Sequence, residues 1–349
     1  MRPASVGRTR FLRTLRPLHP LALNGIVDTI RSLGWGGAFE LLRNGIVLGS
    51  LYALIALGYS MVYGILKLLN FAHGDIYMVG AFLGYGVFTS LGAPLSPDMS
   101  IVPLLILTFL AAMLGAGALG VAVERFAYRP LRNAPRIAPL ISALGVSFFL
   151  ENSVLLLTNG NRYNYSAFEL GGDPNTGLPG PLFEPAFSVA GRPVTVVQVL
   201  VVATSVGLMV ALTLLVGRTR LGKAMRATAF DREAAAMMGI DTDRVITSTF
   251  FIGSVLAGAA GVMFGLYIGE TYHFMGFLAG LKAFTAAVVG GIGSIPGAMV
   301  GGLLIGLTEA YATGYVGGQW SDLAVFAILI LFMLVRPTGI FGASAIQKV

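Results

Sequence analysis

The chain has no cysteine, and only two tryptophans and three histidines among its 349 residues. Without cysteine there is no disulfide framework, no thiol nucleophile and no cysteine metal ligand. The histidines, at positions 19, 73 and 273, are far apart in sequence, so a histidine metal site is not expected. Charge is the larger deficit. Only 11% of residues are charged, against about 25% in a typical soluble domain. No catalytic triad, paired-carboxylate site or metal-ligand cluster stands out, which argues against a membrane enzyme.

What fills the chain is apolar: 56% of residues are hydrophobic. A core-and-surface globule cannot bury that excess, whereas a chain whose outer surface meets lipid does not need to. Apolar runs lie near 45–65, 75–92, 101–123, 138–158, 194–216, 245–268, 279–316 and 322–335. Most suit a span of about 20 residues. The 279–316 run is too long for one straight span and is interrupted by "GGIGSIPG", so it crosses once with a re-entrant piece or twice. Glycine is abundant, at 47 residues. Gly45/Gly49, Gly80/Gly84, Gly261/Gly265 and Gly297/Gly301 have the small-xxx-small spacing that lets membrane helices approach closely. The expected fold is all-α, a polytopic transmembrane bundle of about 8–9 spans with broken helices.

The net charge of +7 does not point to nucleic acid, because of where it sits. Basic residues cluster at 125–136 and 217–244, each bounded by apolar runs, as in cytoplasmic loops under the positive-inside rule. That places 159–193, between two spans, on the outer side of the membrane. Residues 1–43 form an arginine-rich extension that composition places inside and span parity places outside. Residues 44–342 are read as the transmembrane domain, and 343–349 as a tail. No compact apolar segment follows the first arginines, so a signal peptide is not indicated.

Four stretches carry candidate function. "EAAAMMG", from Glu233 to Gly239, lies in the basic loop 217–244. Small alanines let a short helix enter a groove, a charge sets its register, and Gly239 can end it in a left-handed cap. The plainer reading is an ordinary amphipathic loop helix. "GRTRLGK", from Gly217, fits the first part of a phosphate-binding loop, but Ala224 stands where Ser or Thr is needed and no strand precedes it, so nucleotide binding is rejected. In "LLNFAHGDIYMVGAF", residues Asn70, His73, Gly74 and Asp75 interrupt an apolar region. They form either a helix break facing a solute path, with backbone N–H groups available for a carboxylate, or a turn at the membrane surface. In "AVVGGIGSIPGAMVGGLL", residues Gly290, Gly291, Gly293 and Pro296 make a second break, read as a path or as tight packing. If both breaks line a path, they are expected to face one another across a shared cavity. Glu151 with Asn152 is a candidate path-lining or helix-bridging pair. Lys282 and Glu309 are expected near the interface, reaching out to water.

With these stretches in place, the chain resembles the LivH-type permeases of branched-chain amino-acid ABC importers. The matching segments are "NGIVLGSLYALIALGYSMVYGI", "LNFAHGDIYMVGAF", "VERFAYRPLR", "LISALGVSFFLEN", "AAMMGIDTDRVI" and "MGFLAGLKAFTAAVVGGIGSIPGAMVGGL". The resemblance implies a fold like that of type II ABC importer permeases in the bacterial inner membrane, surrounded by lipid, so that the outer side holding 159–193 is the periplasm. It implies a second homologous permease, two ATPase subunits carrying ATP and magnesium, and a periplasmic binding protein, with no cofactor on this chain. Glu233, Ala234, Ala235 and Gly239 then match the element that couples a permease to its ATPase. The solute could instead be urea, an amide or another small polar molecule. A stand-alone secondary transporter, with Glu151 as ion site, is the reading from a different class.

Overall fold

The computed structural model describes residues 20–92, 101–132, 134–135, 137–165, 182–189 and 191–342, with side chains from residue 36 onward. Among the described residues eleven α-helices follow one another: α1 (Pro20–Leu66), α2 (His73–Gly92), α3 (Ile101–Val123), α4 (Ile137–Thr158), α5 (Val196–Arg218), α6 (Arg220–Phe230), α7 (Arg232–Met237), α8 (Thr242–Ile268), α9 (Met275–Gly290), α10 (Ile295–Tyr315) and α11 (Ser321–Val335). Seven helical stretches among the described residues are long and apolar enough to cross a bilayer, which makes this a multi-pass membrane protein. Two antiparallel ribbons accompany them. One pairs β1 (Tyr163–Asn164) with β4 (Glu270–Thr271), and the other pairs β2 (Pro185–Val189) with β3 (Arg192–Thr195).

The long run from 279 to 316 resolves into two helices, α9 and α10, joined by a turn at Gly291–Ser294. The first apolar run is part of a longer helix. α1 continues back to Pro20, with its apolar stretch at Gly36–Leu66. At 47 residues it is ~70 Å long, more than twice the ~30 Å hydrocarbon core. Residues 1–19 and 343–349, much of 159–193, and Arg136 lie outside the described residues.

α1 is the centre of the bundle. Its apolar stretch is almost wholly buried, whereas the stretch containing α11 is largely uncovered. Glycine is what allows neighbours to come so close. A Cβ on Gly49 would lie 2.8 Å from Leu303 Cα, and one on Gly45 2.9 Å from Leu307 Cα, while Gly302 and Gly306 of α10 press on the α1 backbone at Ala53 and Gly49. Gly80 meets Gly258 where α2 crosses α8, and Gly297 and Gly301 meet Gly290 and Ala286 where α10 crosses α9. The small-xxx-small pairs therefore stand at helix crossings.

The molecule has two unlike ends. At one end are Arg129, Arg132, Arg232 and Asp243, joined by ion pairs, together with α6 and α7. At the other, Arg192 pairs with Glu40, Arg162 with Glu270, and Tyr311 donates to the carbonyl of Ala38. The part of the arginine-rich extension whose side chains are described, residues 36–43, thus lies at the end away from the basic loop, where span parity puts it.

Candidate functional site

The basic end is built by a chain of helix caps. Thr219 accepts from Gly222 N (3.1 Å) and starts α6. Asp231 accepts from Glu233 N and Ala234 N (3.0 Å each) and starts α7. Asp241 accepts from Arg244 N (3.0 Å) and starts α8. Each polar side chain satisfies N–H groups that a helix start leaves unpaired. α7 carries Glu233, Ala234 and Ala235, and Gly239 closes it at φ +81°. Ile240 N bonds Ala235 O at 3.1 Å and Gly239 N bonds Ala236 O at 3.0 Å, the paired bonds of a glycine-terminated helix. Ala235 is buried, while Met237 (81%), Met238 (83%) and Phe230 (86%) are exposed. These side chains put exposed apolar surface at a charged end.

The basic end is held by carboxylates. Asp243 takes Arg129 at 2.6 Å, Arg132 at closer range and Arg232 at 3.6 Å. Arg132 also pairs with buried Glu124, which accepts from Thr247 at 3.0 Å. Glu124 begins a π-helical turn, Glu124–Tyr128, that continues α3. This network ties the α3–α4 linker to α7 and α8. The "GRTRLGK" run spans the junction of α5 and α6, both helical, with no strand before it. Gly222 is crowded there by the carbonyls of Leu215 and Val216.

The polar residues of the first break are buried at the start of α2. Asn70 accepts from Tyr128 Oη at 3.0 Å. His73 packs its ring 5.0 Å from that of Tyr59 and presses on Gly58. Asp75 accepts from Ser147 of α4 and lies within electrostatic reach of Glu151. These residues are no surface turn: Asn70, His73 and Asp75 are at most 2% exposed. Gly74, however, lies against Gly276 and Gly280 of α9, so α9 fills the space beside the first turn of α2. Asn152 stays apart, exposed and donating to Phe148 O at 2.7 Å.

The second break does not join this cluster. Gly290 packs against Gly297, Gly291 (φ +109°) against Phe341 and Gly342, and Gly293 (φ +89°) against Gly64. Pro296 sits in the first turn of α10, and Ser294 caps that helix by accepting from Gly297 N at 3.2 Å. The chain after α11 seals the turn, with Ile340 N bonding Val289 O and Phe341 N bonding Gly290 O, both at 2.9 Å. Gly74 meets α9 near its first residues and this turn follows its last, so the expectation of one shared cavity is corrected: backbone fills the space beside both breaks. A leucine at Gly291 would break this seal rather than block a path.

The largest correction concerns Lys282 and Glu309, which are held in an ion-pair cluster rather than reaching out singly to bulk water. Lys282 Nζ lies 2.7 Å from Glu309 Oε1 and 2.7 Å from Asp322 Oδ1, with its side chain 10% exposed. Tyr52 Oη donates to Glu309 Oε2 at 2.8 Å. Four helices, α1, α9, α10 and α11, meet at this cluster. Lys282 and Glu309 line a cavity of about 420 Å³ that reaches Leu41, Asn44 and Thr313 at the end away from the basic loop. Sequence reasoning took each charge singly. The available signal was one cation and two anions, Lys282, Glu309 and Asp322, standing in neighbouring apolar runs and able to pair.

A many-helix membrane bundle with a capped, glycine-ended helix at its basic end has the form of a transport permease. The family of branched-chain amino acid transport system permease components matches residues 41–334, and the chain belongs to it. It is similar to the high-affinity branched-chain amino acid transport system permease protein BraD of Pseudomonas aeruginosa, 44% identical over 88% of this chain and 97% of the relative. It is 43% identical to the LivH permease protein of Escherichia coli K12, over 88% of this chain and 96% of the relative. A probable LivH permease of Methanocaldococcus jannaschii is 26% identical over 88% of this chain and 94% of the relative. These relatives are transport components rather than enzymes. No solved structure matches the chain.

Proposed function

We propose that this chain is the membrane-spanning subunit of an ATP-driven inner-membrane importer that carries leucine, isoleucine and valine. α7 docks in a groove of an ATPase partner. ATP and magnesium are held and used on two such partners, not here. A second homologous permease completes the membrane part, and a periplasmic binding protein delivers the solute to the end opposite α7. The observation that carries this reading is α7 itself: a Glu-Ala-Ala helix, capped by Asp231 and closed by Gly239 in the left-handed conformation, with Met237 and Met238 bare beside it. An exposed apolar knob on a charged surface is costly unless a partner covers it.

In this reading Asp75, Glu151 and Asn152 remain the polar residues closest to a solute route along α2 and α4, and Asn70, His73 and Gly74 fix the start of α2. The glycines at 290, 291 and 293, with Pro296, hold the α9–α10 turn so that α9 can move as a unit. The test is uptake by vesicles holding this chain with its partner subunits, offered a panel of leucine, valine, urea and acetamide. Uptake of the aliphatic amino acids in preference to urea and acetamide supports the assignment; preference for urea or an amide overturns the solute.

A further inference from the structure

We infer that the cavity over Lys282 and Glu309 is a transit site for the zwitterionic head and aliphatic tail of an α-amino acid. The inference rests on the solute proposed above and gives it a place. Three features carry it.

The first is composition of the wall. Lys282 and Glu309 put a cation and an anion at one side of the cavity, with Tyr52 holding the far oxygen of Glu309. Leu41, Leu48, Met275 and Leu278 supply apolar wall. Ligand sites are mostly apolar with a few convergent polar groups. Here the polar groups are of both signs, which suits a solute that is itself charged at both signs and neutral overall. An anion or a cation alone would leave one wall charge opposed by a like charge.

The second is depth. Charged groups in a membrane protein sit where they pair or face a water-filled space. Lys282 and Glu309 do both: they are ion-paired and they line a cavity. Lys282, with three N–H donors, gives one each to Glu309 and Asp322 and keeps one for a carboxylate.

The third is strength. Because Lys282 is already paired with Glu309 and Asp322, a solute gains only the difference between its contacts and those it displaces. Binding is therefore weak, as release to the other side requires. The cavity volume of about 420 Å³ also leaves room for water beside a branched aliphatic side chain.

The absence of cysteine provides the test. Ala279 lines the cavity and differs from cysteine by one sulfur. In vesicles holding the full complex, the leucine uptake of Ala279→Cys is measured first and serves as that variant's own reference. The variant should then lose that uptake on treatment with the water-soluble thiol reagent 2-aminoethyl methanethiosulfonate, while the same complex with the unsubstituted chain keeps its own. Thr313→Cys, at the exposed rim of the cavity, is the second site should Ala279→Cys not assemble. Modification of the introduced cysteine, seen by mass, with leucine uptake intact overturns the transit site. So does failure of the reagent to reach either cysteine. If the unsubstituted complex takes up no leucine but does take up another solute, the proposed solute is wrong, and uptake of that solute then reads the cavity in the same experiment.

Discussion

At Gly239 the backbone stands at φ +81° with no atom within 4 Å of where a Cβ would be. Its requirement is conformational and not steric. A β-branched residue resists that conformation, at roughly 1–2 kcal/mol, whereas asparagine tolerates it. Gly239→Val should therefore leave the protein in the membrane and lower ATP-driven uptake, and Gly239→Asn should restore most of it. Equal uptake in all three proteins would remove α7 as the coupling element. This residue was readable from sequence because a cap is local: the alanines, the glycine and the basic surroundings lie within a few positions. Lys282 was not readable, since its partners stand 27 and 40 positions away and only the fold brings them together. The glycines of 290–297 were legible as a break, but not as a sealed turn, because the sealing residues 339–342 follow a further two helices.

Among elements, the apolar runs give the helices with little error, because crossing a bilayer fixes both their length and their composition. What composition cannot reveal is which helix lies at the centre. That follows from glycine on glycine contacts between α1 and α10, α2 and α8, and α9 and α10. Gly302 sits against the backbone of Ala53, so Gly302→Leu should prevent α1 and α10 from closing and should sharply reduce folded protein in detergent extracts. Gly86, with nothing within 4 Å, should accept alanine without loss. Comparable yields of both variants would contradict the packing of α1 on α10. Another element-scale prediction concerns Asp243, which joins Arg129 and Arg132 to Arg232 of α7. Much of this network is solvent-exposed, so its loss should be felt less in stability than in transmission. Asp243→Ala should lower the ATPase activity stimulated by loaded binding protein while leaving the complex assembled; unchanged stimulation would show that α7 acts without the α3–α4 linker.

For the whole molecule, the clustering of basic residues predicts a direction. α6, α7 and the α3–α4 linker should face the cytoplasm, and β2, β3 and the outer end of α1 the periplasm. Met238 and Val189 are both exposed and stand at opposite ends of the chain's fold. In whole cells whose outer membrane is permeable, an impermeant thiol reagent should label Val189→Cys directly and Met238→Cys only after the inner membrane is opened; the reverse order would invert the orientation. The central claim, that solute movement is driven by ATP through α7, is tested most directly in vesicles holding the full complex, with binding protein and leucine on the side of Val189. ATP and magnesium are then supplied on one side at a time. The account predicts leucine accumulation against its gradient only when they are on the side of Met238. Leucine that merely equilibrates, or that accumulates without ATP, would contradict it.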